Sequence, residues 1–221
     1  MCARYTLTLD QAKLTIAGLI HIFGFVPRYN IGPAQLVPVL MDTPAGFKIV
    51  EMRWGIPSVW SKTLHINAKA ERIQHSMTFK PLLGHRCLIP MDGFYEWKHH
   101  ISPVRFVRHH HELFCVAGLW TELEMPGIEA PFMEKCFALL TGPAIPSVAP
   151  IHKRMPFIIG EGNYDRWLRE GMKDTMLNFA DNTPLDSYPV SREVNNVRND
   201  NPDLIRPAPV EKDLFSFSGH A

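Results

Sequence analysis

Short apolar runs separated by proline and glycine dominate the chain, and few of them carry the three-to-four-residue spacing of an amphipathic helix. Strands are predicted over Leu36–Met41, Lys48–Trp54, Arg86–Pro90, Phe94–Lys98, Val104–Val107, Phe114–Leu119 and Cys136–Thr141, then at Met155–Ile159 and Leu185–Val190. A helix is predicted from Asp10, as its cap, to about Phe23, with Leu14, Ala17, Leu19 and Ile20 as its apolar face. Other helices are predicted at Ala68–His75, at Asn163–Glu170 with Asn163 as cap, and over Lys173–Phe179; Tyr29–Ala34 reads as a loop. Most of the 19 prolines fall between these elements, and neither a repeat nor a long linker divides the chain. The pattern predicts one α+β domain over 1–221, built on a curved antiparallel sheet with short flanking helices.

Composition narrows the class. At 221 residues, 46% hydrophobic and 20% charged, the chain can bury a proper core. The longest apolar stretch, Leu14–Val26, is interrupted by His21 and is too short to cross a bilayer, so no membrane span is expected. Cys87, Cys115 and Cys136 lie in apolar runs and read as small buried hydrophobes. With no Cys-x-x-Cys pair and no leader, a reducing compartment is expected, cytoplasmic or nuclear. Net charge is only +1, but Arg53–Arg108 carries nine Lys/Arg against three Asp/Glu. That surplus suits a basic face toward an anion or, equally, an unevenly charged solvated surface.

The chemistry begins at Cys2. Removal of Met1 leaves a 1,2-aminothiol, whose α-amine titrates at roughly 7.7–8.0 and is partly nucleophilic near neutrality. Such an amine forms a Schiff base with an aldehyde, and the thiol then closes a five-membered thiazolidine. Glu96 sits in the aromatic run Gly93-Phe94-Tyr95-Glu96-Trp97, where strand alternation puts Phe94 and Glu96 on one face. Buried there, its pKa would rise toward values suited to proton transfer; on an edge strand it would simply face water. His152, between Ile151 and Lys153-Arg154, offers an imidazole beside two cations. Asn67 is either an ordinary helix cap or an amide that orients a reacting group, with Lys69 and Arg72 toward phosphates and Arg4 beside Cys2 in the same role. Of Trp54 and Trp60, one is expected in the core and the other stacked on a base. His99-His100 and His109-His110-His111 read as solvated turns, and no metal site is expected.

Taken together these segments resemble the SOS-response-associated peptidase-like (SRAP) family, whose members process abasic sites in DNA. The resemblance rests on Met1-Cys2-Ala3-Arg4, Tyr29-Asn30-Ile31-Gly32-Pro33, Arg53-Trp54-Gly55 and Asn67-Ala68-Lys69-Ala70-Glu71, followed by Phe79-Lys80-Pro81, Gly93-Phe94-Tyr95-Glu96-Trp97, Ile151-His152-Lys153-Arg154-Met155-Pro156 and Pro189-Val190-Ser191 through Asn195-Asn196-Val197-Arg198-Asn199. It runs from about 2 to 207, leaving a tail at 208–221. The chain departs from the family pattern at Ala3 and Lys69, in place of glycine and arginine, and at Lys153, in place of aspartate. The proline of Gly55–Trp60 is also shifted by one place.

The resemblance implies a single α+β domain on a distorted antiparallel β-barrel. It implies a DNA-repair protein that captures abasic sites in single-stranded DNA as a thiazolidine crosslink, with lyase activity as an adjunct. Cys2 would be the nucleophile, Asn67 would position the amine or the sugar, Glu96 would shuttle protons, and His152 would protonate the opening sugar ring. Arg4, Trp60, Lys69, Arg72 and Arg154 would contact DNA. No cofactor is implied, and a monomer, nucleoid-associated or nuclear, is expected. Two other readings stand beside it: a cysteine (auto)peptidase using Cys2, His152 and Glu96, and a non-enzymatic reader of modified bases.

Overall fold

A computed structural model describes residues 2–16, 18–58, 62–125, 130–170 and 179–209. The first half of the chain contributes β1 (Tyr5–Leu7), β2 (Gln11–Ile16), β3 (Leu19–Gly24), β4 (Arg28–Ile31), β5 (Leu36–Thr43), β6 (Gly46–Trp54), β7 (Ile56–Pro57), β8 (Leu64–His65) and β9 (Asn67–Lys69). The second half contributes β10 (Arg86–Met91), β11 (Gly93–Lys98), β12 (Ser102–Val107), β13 (Phe114–Met125), β14 (Phe132–Pro143), β15 (Arg154–Pro156), β16 (Ile158–Ile159), the helix α1 (Tyr164–Arg169) and β17 (Asp186–Pro189).

Strands β5, β6, β14, β13 and β10 close on themselves into a five-stranded barrel, antiparallel except where β14 runs parallel to β6. A second sheet, in the order β17-β12-β11-β1-β4, shares a core with it. The expected α+β, barrel-like single domain is therefore what the chain forms.

The barrel segments Cys87–Met91, Phe114–Leu119 and Cys136–Leu140 are apolar throughout because both of their faces are covered. Cys87, Ile89, Val116, Phe137 and Leu139 pack with Tyr5, Phe94 and Phe106 of the second sheet. The intervening Leu88, Cys115, Ala117, Cys136 and Ala138 pack instead with Trp167 and Leu168 of α1. Cys87, Cys115 and Cys136 are fully buried, as their apolar surroundings imply. At Gly118 an added Cβ would fall 2.5 Å from Ile89 Cδ1, 2.9 Å from Cys87 Sγ and 3.2 Å from the Ala138 carbonyl oxygen. Gly118→Ala is expected to cost about 1–3 kcal/mol by overpacking, read as a lower denaturation midpoint with an unchanged m-value; an unshifted midpoint would refute this tight packing.

Three expectations are corrected. The segment predicted as a helix from Asp10 to Phe23 is the hairpin β2–β3, turning at Gly18 with φ +75°. Gln11, Lys13 and Thr15 are exposed while Leu14 and Ile16 are buried, a period of two that outweighs the helix-forming composition. The helix predicted at Ala68–His75 begins instead as β9, parallel to β14, and only Ala70–His75 is helical, as a 3-10 helix. The loop predicted at Tyr29–Ala34 holds most of β4, paired to β1. The helix predicted at Asn163–Glu170 is α1, with Asn163 at its N-cap position as expected; the Asn163 side chain makes no cap hydrogen bond, and its Oδ1 accepts from Arg166 Nη1 at 3.2 Å. Apart from Phe179, the helix predicted at Lys173–Phe179 lies outside the described residues. Among the described residues no helix is long and apolar enough to cross a membrane.

Candidate functional site

The site is assembled by the strand that follows Cys2. β1 pairs with β11 with Tyr5 opposite Phe94 and Thr6 opposite Gly93, and the Tyr95 amide donates to the Arg4 carbonyl at 3.0 Å. Continued one step, this register carries the start of the chain alongside Glu96. A buried ion pair fixes β1 there. Asp92 Oδ1 accepts from Thr6 Oγ1 at 2.5 Å and from Arg105 Nη2 at 3.2 Å, while Asp92 Oδ2 accepts from the Thr8 amide at 2.6 Å. Arg105 and Asp92 are each 1% exposed, and Arg105 also reaches Tyr188 Oη on β17. Gly93 makes room for this: a Cβ there would lie 2.8 Å from Arg105 Nε.

From the barrel side, β9 and β15 flank β14 and face Cys2. Pairing of Thr141 with both Lys69 and Pro156 brings Asn67 and His152 to one edge. Asn67 Nδ2 donates to the Cys2 carbonyl at 2.8 Å, so its side chain is no helix cap but a tether on the N-terminal segment. Its Oδ1 is buried and has no hydrogen-bond partner among the described residues. His152 Nδ1 lies 3.8 Å from Glu96 Oε1, accepts from the Arg154 amide at 3.1 Å, and sits 2.9 Å from the Arg154 carbonyl oxygen.

Burial sets the electrostatics. Glu96 is 3% exposed, and desolvation pushes its carboxyl up from 4.5 to about 7. Of the two sequence readings of Glu96, solvent-facing or buried, the structure adopts the buried one, on the face it shares with Phe94. Cys2 is 1% exposed, and burial, then the charge of Glu96, pushes its thiol well above the usual cysteine range. Its Sγ donates to the Arg4 carbonyl at 3.5 Å.

The cations predicted to meet DNA occupy different situations. Lys69 and Arg72 are exposed on a cleft of about 570 Å³ that begins at Asn67 and is floored by Ile73 and Phe79. Arg4 is half-buried, and its Nη2 reaches the Asn195 carbonyl at 3.4 Å. Arg154 is held in a fork: Nη1 and Nη2 bond Glu71 at 2.5 and 3.0 Å, and Nη2 also bonds the Thr141 carbonyl at 2.5 Å. Much of the basic surplus of Arg53–Arg108 is internal. Arg53 pairs with Glu134, Arg86 bonds the Trp167 carbonyl, Arg105 pairs with Asp92 and Arg108 with Asp181. Trp54 is the core tryptophan, 0% exposed with Nε1 on the Ile66 carbonyl, and Trp60 lies outside the described residues.

Sequence reasoning missed Asp92, Arg105 and Asn30 as parts of this frame. Buried charge inside a strand-turn-strand run was the available signal for the first two. Asn30 stood in view only as one letter of a motif.

Three comparisons bear on this arrangement. Residues 1–197 match the model of a family described as SOS response associated peptidase (SRAP). The abasic site processing protein YoqW of Bacillus subtilis (strain 168) is 31% identical over 224 residues, covering 93% of this chain and 99% of the relative. The abasic site processing protein YedK of Escherichia coli (strain K12) is 28% identical, with 82% of this chain and 85% of the relative covered. The abasic site processing protein HMCES of Mus musculus is 27% identical, with 83% and 66% covered. In fold, a crystal structure of a protein from Bordetella bronchiseptica superposes with a TM-score of 0.69 at 23% identity, covering 86% of this chain and all of that one.

Proposed function

The chain belongs to the SOS response associated peptidase (SRAP) family, and from that membership we propose that it processes abasic sites by capturing them covalently, in single-stranded DNA, through Cys2. The observation that carries the reading is the Asn67 tether: a side-chain amide grips the Cys2 carbonyl at 2.8 Å, beside a buried carboxyl poised near 7. A residue merely near the start of a chain needs neither.

After removal of Met1, the freed α-amine attacks the aldehyde carbon of the ring-opened abasic sugar and gives a carbinolamine. His152, when protonated, donates to the ring oxygen as the sugar opens. Glu96 in its acid form donates a proton to the carbinolamine hydroxyl, which departs as water and leaves a protonated imine. Sγ then adds to the carbon of that iminium, the C=N electron pair settles on nitrogen, and Glu96 takes back the proton that the thiol releases. The product is a thiazolidine, and the net change is loss of one water. Asn67 Oδ1, otherwise without a partner among the described residues, accepts from the amine or from a sugar hydroxyl. Lys69 and Arg72 meet phosphates along the cleft. Arg154, held by Glu71 and Thr141, stiffens the start of β15 just beyond His152.

The raised thiol pKa supports this order of events. A cysteine peptidase needs its thiol pulled below the free value, whereas burial and Glu96 push Cys2 the other way. The aminothiol route starts with the amine and needs the thiol only once the imine has formed.

The test mixes purified chain with single-stranded DNA carrying one abasic site and reads a denaturing gel beside intact mass. Protein lacking Met1 is expected to give a heat-stable adduct whose mass is the sum of the two less one water. Protein that retains Met1, which acylates the α-amine of Cys2, is expected to give none. No adduct from chains whose mass proves Met1 absent would overturn the reading.

A further inference from the structure

The segment 191–200 crosses the molecule beside Arg4 as a strap with little secondary structure of its own, beyond a short 3-10 turn at Arg192–Asn195. Backbone carbonyls in such a segment need donors. A single buried side chain serves three such carbonyls, which share the two hydrogens of its amide nitrogen: Asn30 Nδ2, on β4, lies 3.1 Å from the Val194 carbonyl, 3.0 Å from that of Asn196 and 2.9 Å from that of Asn199. Asn30 is 0% exposed. The end of the strap is pinned by Asp200, which accepts from the Tyr29 amide at 2.6 Å and pairs with Arg28.

The pinned strap reaches Arg4 in two ways. The Asn195 carbonyl accepts from Arg4 Nη2, and the Asn195 side-chain oxygen accepts from Trp97 Nε1 at 2.7 Å, which joins the strap to the strand of Glu96. Val197 and Arg4 also share the space left open over Gly32: a Cβ there would lie 2.8 Å from Val197 Cγ2 and 3.0 Å from Arg4 Nε. The stem of Arg4 is thus walled by the strap on one side and the β4 turn on the other. Its Nε is buried and has no hydrogen-bond partner among the described residues, so these walls, rather than a network of bonds, set where its charge stands.

We propose that Asn30 is a positioning residue for DNA capture, fastening the 191–200 strap so that it holds Arg4 at the phosphate-facing edge of the Cys2 site. The inference rests on the reading of Arg4 as a phosphate contact in the proposed function. Loss of the Asn30 amide frees three carbonyls at once, lets the strap lift, and gives Arg4 back its rotamers; the cost of re-ordering that side chain then falls on binding.

The experiment uses the full chain with Cys2 replaced by alanine, so that binding to single-stranded abasic DNA is reversible, and measures Kd against salt concentration alongside the melting temperature. Arg4→Ala is expected to lower the salt slope by about 0.7, the share of one phosphate on a single strand. Asn30→Ala is expected to lower it by a similar amount and to weaken binding roughly tenfold at low salt, and the Asn30→Ala, Arg4→Ala double variant is expected to add nothing further. Asp200→Ala loosens the strap from the exposed side, without touching the buried amide, and is expected to shift the slope in the same direction; it carries the test if Asn30→Ala does not fold. A folded Asn30→Ala or Asp200→Ala chain with the parental slope overturns the inference whatever its melting temperature, as does an Arg4→Ala chain whose slope is unchanged. Failure of the chain with Cys2 intact to form any adduct strikes the proposed function instead, so the two failures are read on separate gels and titrations.

Discussion

Cys2→Ala is expected to abolish heat-stable capture of abasic DNA, lowering the yield by roughly 10³-fold or more, while leaving a labile adduct. The difference between the two products is the point. Alanine at position 2 keeps the α-amine, so the imine with the sugar aldehyde still forms and can be reduced to a stable amine by borohydride. It removes Sγ, so no ring closes, and water returns the imine to aldehyde on heating. The thiol starts from an unfavourable place as an anion, since burial and the charge of Glu96 both push its pKa up. Ring closure is therefore expected to proceed from the neutral thiol, with its proton leaving as the sulfur adds, and not from a standing thiolate. A heat-stable, reductant-independent adduct from Cys2→Ala would sink the mechanism; a peptidase that tracks Cys2 in the absence of abasic DNA would replace it.

The central barrel segments could be read in advance because two covered faces leave no polar position to blur the runs, as at Cys87–Met91 and Phe114–Leu119. The hairpin at Gln11–Gly24 was misread because Leu, Ala and Ile serve a helix as well as a strand; the exposed Gln11, Lys13 and Thr15 carried the signal. Of the candidate site, Asn67, Glu96 and His152 converge with the segment that follows Met1. Local patterns of chemistry suggested each of them, but their distances depend on strand pairings separated by dozens of residues. Asn67 misled in one respect: an amide before Ala-Lys-Ala looks like a cap, and only its place in β9, paired to Leu139, turns it toward Cys2. Surface charge was the least legible property. Arg86 and Arg105 count as cations in any sequence tally, yet both are spent inside the fold on carbonyls or on Asp92. Asn30 was illegible for a related reason, because its three acceptors lie more than 160 residues away in the chain.

Glu96→Gln is expected to make the protein more stable above neutrality and far less active, two effects with one cause. The carboxyl is 3% exposed, and desolvation moves its pKa from 4.5 to about 7. Between those values the folded state holds a proton that the unfolded state has released, so stability is fully present below about 4.5 and is lost as pH rises through about 7. At pH 8 the ionised form costs the fold on the order of 3 kcal/mol, and a neutral glutamine of the same shape escapes that cost. The melting temperatures of wild type and variant are expected to coincide near pH 4 and to separate progressively between 4.5 and 7, with the variant higher. Activity runs the opposite way. An amide can neither give a proton to the departing carbinolamine hydroxyl nor take one from the thiol, and loss of a positioned acid–base group costs about 10²–10⁴ in rate. The wild-type rate of adduct formation is expected to bend near pH 7, where Glu96 changes state, and the variant's profile is expected to lose that bend. If Glu96 were only a packing residue, the variant would keep both the rate and the bend. If it were ionised at a normal pKa, the two melting curves would not part above pH 4.5. Sacrificing stability near neutral pH to keep a carboxyl half-protonated is what the proposed proton transfer requires, and the opposed shifts in stability and rate test both sides of that exchange in one variant.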